Sequence, residues 1–142
     1  MTDKEPSPRP FIRRYEAGDA ALLLAMIEQE GEDWKEYWQG AGRNKYLKAL
    51  SCSTAWLLFE DGTLCGYVRC REDDGFGVYV YDLLVSQAYR GREYGRLLLE
   101  RVGRETPGET VYVMSDADSY YEKLGYERIG SIFTVKPKTR EE

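Results

Sequence analysis

The chain has 142 residues, 42% of them hydrophobic, which suits one domain around a single core of ordinary size. A net charge of −5 argues against a nucleic-acid backbone as the main partner, because displacing phosphate counterions takes clustered Lys and Arg; a cationic partner is favoured. No histidine is available for a His-containing zinc site, and Cys52, Cys65 and Cys70 lack CxxC spacing. The thiols are therefore expected to be buried or half-buried in a reduced, cytoplasmic protein, with no membrane span and no metal.

Residues 1–9 are polar and proline-rich, read as a disordered leader, with one domain over 10–136 and a charged tail over 137–142. Phe11, Ile12 and Arg13 suggest a first strand. Asp19 follows Gly18 as a helix N-cap, and Leu22, Leu23, Met26 and Ile27 recur at helical spacing, predicting a helix over 20–30. Between Gly31 and Gly40, acids alternate with large aromatics. A helical reading puts Trp34, Tyr37 and Trp38 on one face, either packed on a sheet or forming a substrate wall whose rings and carboxylates receive an ammonium group.

A short helix over 44–50 is expected next. Residues 55–60 and 63–71 then read as a hairpin turning at Asp61-Gly62, followed by a strand over 76–85. After a helix, residues 110–114 form a strand parallel to it, joined by a right-handed crossover. A short helix carrying Tyr120, Tyr121 and Leu124 stops at Gly125, and residues 128–135 are predicted to close the sheet as its last strand.

The organising stretch is 81–102. An apolar run ends at Val85, and Arg90, Gly91, Arg92, Glu93, Tyr94, Gly95 and Arg96 lead into a helix whose stripe is Tyr94, Leu97, Leu98 and Val102. Backbone N–H groups and three cations are expected to converge there, which predicts a site for a phosphate-bearing ligand.

This strand, loop and helix resemble the central motif of the GNAT superfamily of acyl-CoA-dependent N-acetyltransferases, whose loop reads Gln or Arg, two residues, Gly, one residue, Gly or Ala. Arg90 and Gly95 fall on the outer positions, and Glu93 replaces the middle glycine. Downstream, Tyr120-Tyr121-Glu122-Lys123-Leu124-Gly125-Tyr126 is similar to that family's aromatic-Tyr-Glu-x-x-Gly-aromatic signature.

The resemblance implies an α/β fold of GNAT type, a mostly antiparallel central sheet with a splayed parallel pair and flanking helices. It implies acetyl-CoA as co-substrate, its pantetheine arm on the backbone of Leu83, Leu84 and Val85 and its diphosphate on the loop from Arg90 to Arg96. A primary amine, on a small cationic molecule or a protein, would attack the thioester. Tyr121 matches the tyrosine that protonates the leaving thiolate, and a backbone N–H near Leu84 or Val85 would serve the oxyanion.

With no histidine, the base must be a carboxylate, a tyrosine or a water chain. Asp82 is one candidate, as base or as structural hydrogen-bond partner, although Tyr81 stands where related sequences carry a first acid. Asp116 is a third candidate contact to coenzyme or amine. Glu93 keeps its backbone donor but costs about 1 kcal/mol if the position requires positive φ. A non-catalytic acyl-CoA-binding module, an interaction domain and a homodimer paired through the last strand or an aromatic face remain open.

Overall fold

In the computed structural model, which describes residues 9–138, a five-stranded sheet runs in the order β1-β2-β3-β4-β5. β1 (Pro10–Arg14), β2 (Thr54–Glu60), β3 (Thr63–Glu72) and β4 (Val78–Val85) are successive antiparallel neighbours, and β5 (Val111–Val113) lies parallel to β4. The helices are α1 (Ala20–Glu28), α2 (Lys35–Trp38), α3 (Gly40–Ser51), α4 (Tyr94–Glu105) and α5 (Asp118–Lys123). The expected leader lies outside the described residues except for Arg9, as does the tail beyond Lys138.

Apolar side chains fill both faces of the sheet. On one face Leu23, Leu24 and Ile27 of α1 and Tyr46 and Leu50 of α3 meet Leu57 and Tyr67. On the other, Tyr94, Leu98, Leu99 and Val102 of α4 meet Val68 and Val80. Leu99, outside the predicted stripe, is buried.

Between these layers, β4 carries a bulge. Arg69 pairs with Asp82 but Cys70 pairs with Val80, leaving Tyr81 as an extra residue. Strand side chains alternate between faces, so one inserted residue reverses the alternation. Val78 and Val80 face α4 before the bulge, and Leu83 and Val85 do so after it, while Leu84 faces α1 and α3.

Several expectations are corrected. Asp19 sits at the N-cap of α1, but its carboxylate takes Arg13 Nη1 and Nη2 at 2.8 Å each and the Glu16 N–H at 2.8 Å, so it serves the preceding 3-10 turn instead. α3 begins four residues before the expected 44, at Gly40. β4 starts at Val78, because the Asp73 N–H bonds to the Gly77 carbonyl at 2.9 Å and closes a turn through Gly75 and Phe76. Cys52 is exposed, whereas Cys65 and Cys70 are buried. Residues 128–135 form no strand: they join no ladder, and Phe133 and Val135 are each 84% exposed.

Candidate active site

The two parallel strands stay together for three residue pairs, Val78 to Val80 against Val111 to Val113. The Met114 N–H still bonds to the Val80 carbonyl at 2.9 Å, and beyond that β4 keeps β3 on one side only. The Ser86 N–H bonds to the Cys65 carbonyl on β3 at 2.8 Å. Backbone direction alternates along a strand, so the groups of Leu84 also point to β3 and those of Leu83 and Val85 point into the split. Arg90 Nε donates to the Val85 carbonyl at 3.0 Å. The N–H and C=O of Leu83 and the N–H of Val85 are left as free edge groups, able to accept an extended amide-bearing chain as a strand would.

At the end of this edge the chain turns into α4. Gly91 has φ 85° and Glu93 has φ 65°, both left-handed, so the glycine replaced by Glu93 is one whose position does require positive φ. Intrahelical bonding begins with Leu97 N–H to the Glu93 carbonyl at 3.1 Å, leaving the amides of Tyr94, Gly95 and Arg96 free for an anion. A Cβ on Gly95 would overlap the Tyr120 hydroxyl, so glycine there lets α5 close against the start of α4.

The three arginines do not converge, contrary to expectation. Arg90 pairs with Glu30 at 3.0 Å, Arg92 with the buried Glu60 at 2.5 Å, and Arg96 with Glu93 at 2.8 Å and Glu100 at 2.9 Å. All three guanidinium groups are at least one-third exposed, so solvent screens their side of each pair. The backbone is therefore the fixed anion seat.

Past β5, Asp116 is exposed and Tyr121 half-buried against the α4 core. Burial, followed by the charge of Asp116 and then Tyr120, pushes the Tyr121 phenol up to about 12. It stays protonated through the neutral range.

On the α1 and α3 face of the sheet, the bulge delivers Asp82 into a polar cluster. Its Oδ2 accepts from Tyr46 Oη at 2.6 Å and from Arg69 Nε at 2.5 Å, and Tyr46 Oη lies 2.6 Å from Tyr67 Oη. Arg69 Nη1 also donates to Ser53 Oγ at 3.1 Å. Among the described residues no buried side-chain polar atom lacks a partner, and Oδ1 of Asp82 takes no bond. That oxygen therefore keeps contact with solvent, and it is the one available to an incoming cation.

Trp34, Tyr37 and Trp38 are all half-buried on the core above this cluster. Tyr37 lies 5.3 Å from Trp34 and 4.6 Å from Tyr46, ring centre to ring centre, linking the wall to Asp82. Trp38 turns inward, its Nε1 donating to the Gly31 carbonyl at 3.3 Å. The Tyr37 phenol is pushed up to about 12, first by burial, then by Asp82 and Glu36, with Asp116 adding and Arg69 opposing. Carboxylates from β4, α2 and the loop after β5 thus act on one phenol, a field that suits an ammonium group.

Tyr46, Tyr67, Arg69 and Ser53 were not singled out by the sequence reading. The available signal was Arg69, a cation within the apolar run 64–70, since a long charged side chain is rarely buried without a partner. Cys65 and Cys70 are pushed up to about 11 by burial and are inert thiols at neutral pH. Among the described residues, no group of three or more His, Cys, Asp or Glu is placed to hold a metal ion, and no helix is long and apolar enough to cross a membrane.

A model of the acetyltransferase (GNAT) domain family matches residues 51–128, more than half of the chain, spanning the bulged strand, the loop and the Tyr121 helix. The chain belongs to the GNAT acetyltransferase family. The fold recurs in many solved structures. An aminoglycoside acetyltransferase from an uncultured soil metagenomic sample superposes with TM-score 0.66 at 19% identity, over 92% of this chain and 99% of that one. An aminoglycoside N-acetyltransferase in complex with CoA gives 0.65 at 13% identity, over 98% and 100%. The ribosomal-protein-alanine N-acetyltransferase of Brucella melitensis biovar Abortus 2308 gives 0.68 at 15% identity, over 90% and 99%. At such identities the likeness concerns the fold. A search of curated proteins finds no match.

Proposed function

We propose that this GNAT protein transfers an acetyl group from acetyl-CoA to a primary amine, by direct attack in a ternary complex. The observation that carries the reading is the open edge of Leu83 and Val85, which leads at one end to the free amides of α4. The pantetheine arm pairs with that edge, and the diphosphate takes the amides of the loop from Gly91 to Arg96. Arg90 swings from Glu30 to the phosphates, while Arg92 stays with the buried Glu60. The co-substrate needs only backbone donors here, so a varied loop sequence is tolerated.

The acceptor enters across Trp34, Tyr37 and Trp38, and its ammonium group is received by Oδ1 of Asp82 and by Asp116. An alkylammonium, with a pKa of about 10.4, has to lose a proton before its nitrogen attacks. Asp82 holds the cation while the proton leaves, to its own Oδ1 or through water. The C–N bond then forms, the oxyanion is met by the Val85 N–H, and the C–S bond breaks. The conjugate thiol of the departing thiolate, with a pKa of about 8.5 by analogy with cysteine, is a stronger acid than a phenol near 12. Tyr121 therefore acts chiefly by donating a hydrogen bond as negative charge builds on sulfur. The nitrogen gives up two protons in all: the first leaves to solvent by way of Asp82 or water, and the second, lost once the C–N bond has formed, balances the one that ends on the thiol.

The domain extends over residues 10–136, works in the cytoplasm, and uses no metal and no nucleic acid. The neighbours' names put aminoglycosides and a protein alanine among acceptors to screen. The first test is calorimetric titration with acetyl-CoA, dephospho-CoA and adenosine diphosphate, followed by thiol release with an amine library. Saturable binding that needs the acyl-pantetheine arm, with amine-dependent thiol release, is expected. A second reading, a non-catalytic acyl-CoA-binding module, is favoured by Glu93, whose carboxylate stands 2.8 Å from Arg96 at the phosphate seat. Binding without thiol release from any amine would install that reading.

A further inference from the structure

Among the described residues two carboxylates are buried, Asp82 and Glu60, and the proposed reaction uses only the first. Glu60 closes β2. Along that strand Trp56 and Leu58 pack on the α4 side and Leu57 and Phe59 on the other, so alternation turns Glu60 toward the start of α4. There Arg92 Nη1 donates to Oε1 at 2.5 Å and to Oε2 at 2.6 Å. The guanidinium carbon of Arg92 also stands 5.3 Å from the centre of the Tyr89 ring. The phenol of the buried Tyr94 is raised first by burial and then by Glu60. Tyr89, Arg92 and Tyr94, which bracket the left-handed Gly91 and Glu93, thus gather around one carboxylate that lies 32 residues before Arg92 in the chain.

Given the acetyl-CoA seat proposed above, on which this role rests, we propose that Glu60 is a positioning residue for the coenzyme. It holds Arg92, and through Arg92 the turn from Arg90 to Glu93, in the shape that presents the amides of Tyr94, Gly95 and Arg96 to a diphosphate. A turn with two left-handed residues, one of them not glycine, does not keep that shape by its own backbone preference and persists only where its surroundings hold it. Arg92 is suited to be the tie, because its partner is buried and would be left without a cation if Arg92 turned to the phosphates. Arg96, by contrast, pairs with Glu93 and Glu100 within one turn of itself and fastens the loop to no other element. A turn formed beforehand need not be ordered by the coenzyme, so the effect of Glu60 falls on binding and not on the chemical step.

The test is calorimetric titration of acetyl-CoA into the full chain and into Glu60→Gln, Arg92→Gln and the double variant. Glu60→Gln keeps the shape of the side chain and leaves no buried charge behind, since the Arg92 side chain is 44% exposed. Expected for Glu60→Gln is a dissociation constant roughly tenfold higher, about the effect of leaving one loop residue to be ordered on binding. Arg92→Gln should match it, and the double variant should bind no more weakly than either, because the same tie is lost in all three. The KM for acetyl-CoA should rise in step, while kcat at saturating coenzyme and the KM of the acceptor hold. Without coenzyme, trypsin should cut after Arg90 faster in Glu60→Gln than in the unaltered chain. Tighter or unchanged binding by Glu60→Gln overturns the proposal, since a carboxylate that merely competes with phosphate for Arg92 gives that result. Additive losses in the double variant, or an unchanged rate of cutting, overturn it equally. A chain that binds no acetyl-CoA refutes the proposed function, and the cutting rate then still decides whether Glu60 holds the turn.

Discussion

The two walls of the split are built on opposite terms. β4 is held by β3 along its length and packed on both faces, and its one polar intrusion, Asp82, is tied to Arg69 and Tyr46. The β5 wall is three residues of ladder followed by an exposed loop and a six-residue helix, and it carries Asp116 and Tyr121. One wall is fixed by burial, and the other is supported mainly where α5 meets the start of α4 at Gly95.

That contrast can be broken hardest at Arg69. Arg69→Met leaves the carboxylate of Asp82 buried without its cation and should cost about 3–5 kcal/mol of stability, whereas Arg69→Met with Asp82→Leu should recover most of it. Denaturant midpoints of the two proteins check this. On the thin wall the loss should fall on rate instead: Tyr121→Phe removes a donor to the developing charge on sulfur and should lower thiol release by roughly 10² to 10³ with the melting temperature little changed. Full activity would remove Tyr121 from the chemistry.

The tyrosines sharpen the comparison through pH. Burial raises Tyr37 and Tyr121 from about 10 to about 12, and Tyr46 and Tyr67 are raised by burial as well. A raised pKa contributes stability fully below the ordinary value and loses it as pH rises through the folded one. The melting temperature should hold up to about pH 10 and then fall through about pH 12. Tyrosinate absorbance, followed in parallel, should show Tyr67 ionising only with unfolding. The smallest effect is expected at the loop. Glu93→Gly relieves a left-handed residue of about 1 kcal/mol and removes an anion from the phosphate seat, so the dissociation constant for acetyl-CoA should fall a few-fold.

Much of this arrangement is legible before any coordinates. Asp61-Gly62 announces its hairpin, and both residues take positive φ. Gly125 ends α5 in the same way, and the spacing of Tyr94, Leu98 and Val102 marks the face of α4 that is buried. The arginines at 90 and 92 were legible as charge but not as geometry, because their partners Glu30 and Glu60 lie far away in sequence, whereas the partners of Arg96, Glu93 and Glu100, stand within one turn of it. The pattern of residues 128–135 declares a strand, but alternation does not name the strand it pairs with. The bulge at Tyr81 leaves no mark of composition, so the side on which Asp82 emerges could not be read.

That single extra residue links two properties that look separate. Tyr81 shifts the phase of β4, and the same shift falls where β4 and β5 part company. A point substitution at Tyr81 would leave the phase as it is, because phase depends on the number of residues and not on their identity. Deleting Tyr81 would close the bulge and leave Asp82 opposite Arg69 and Leu83 toward α4, because the residues on either side already alternate without it. The face on which Asp82 stands is thus set by its flanking residues, and Tyr81 is the one residue of β4 that the alternation can spare.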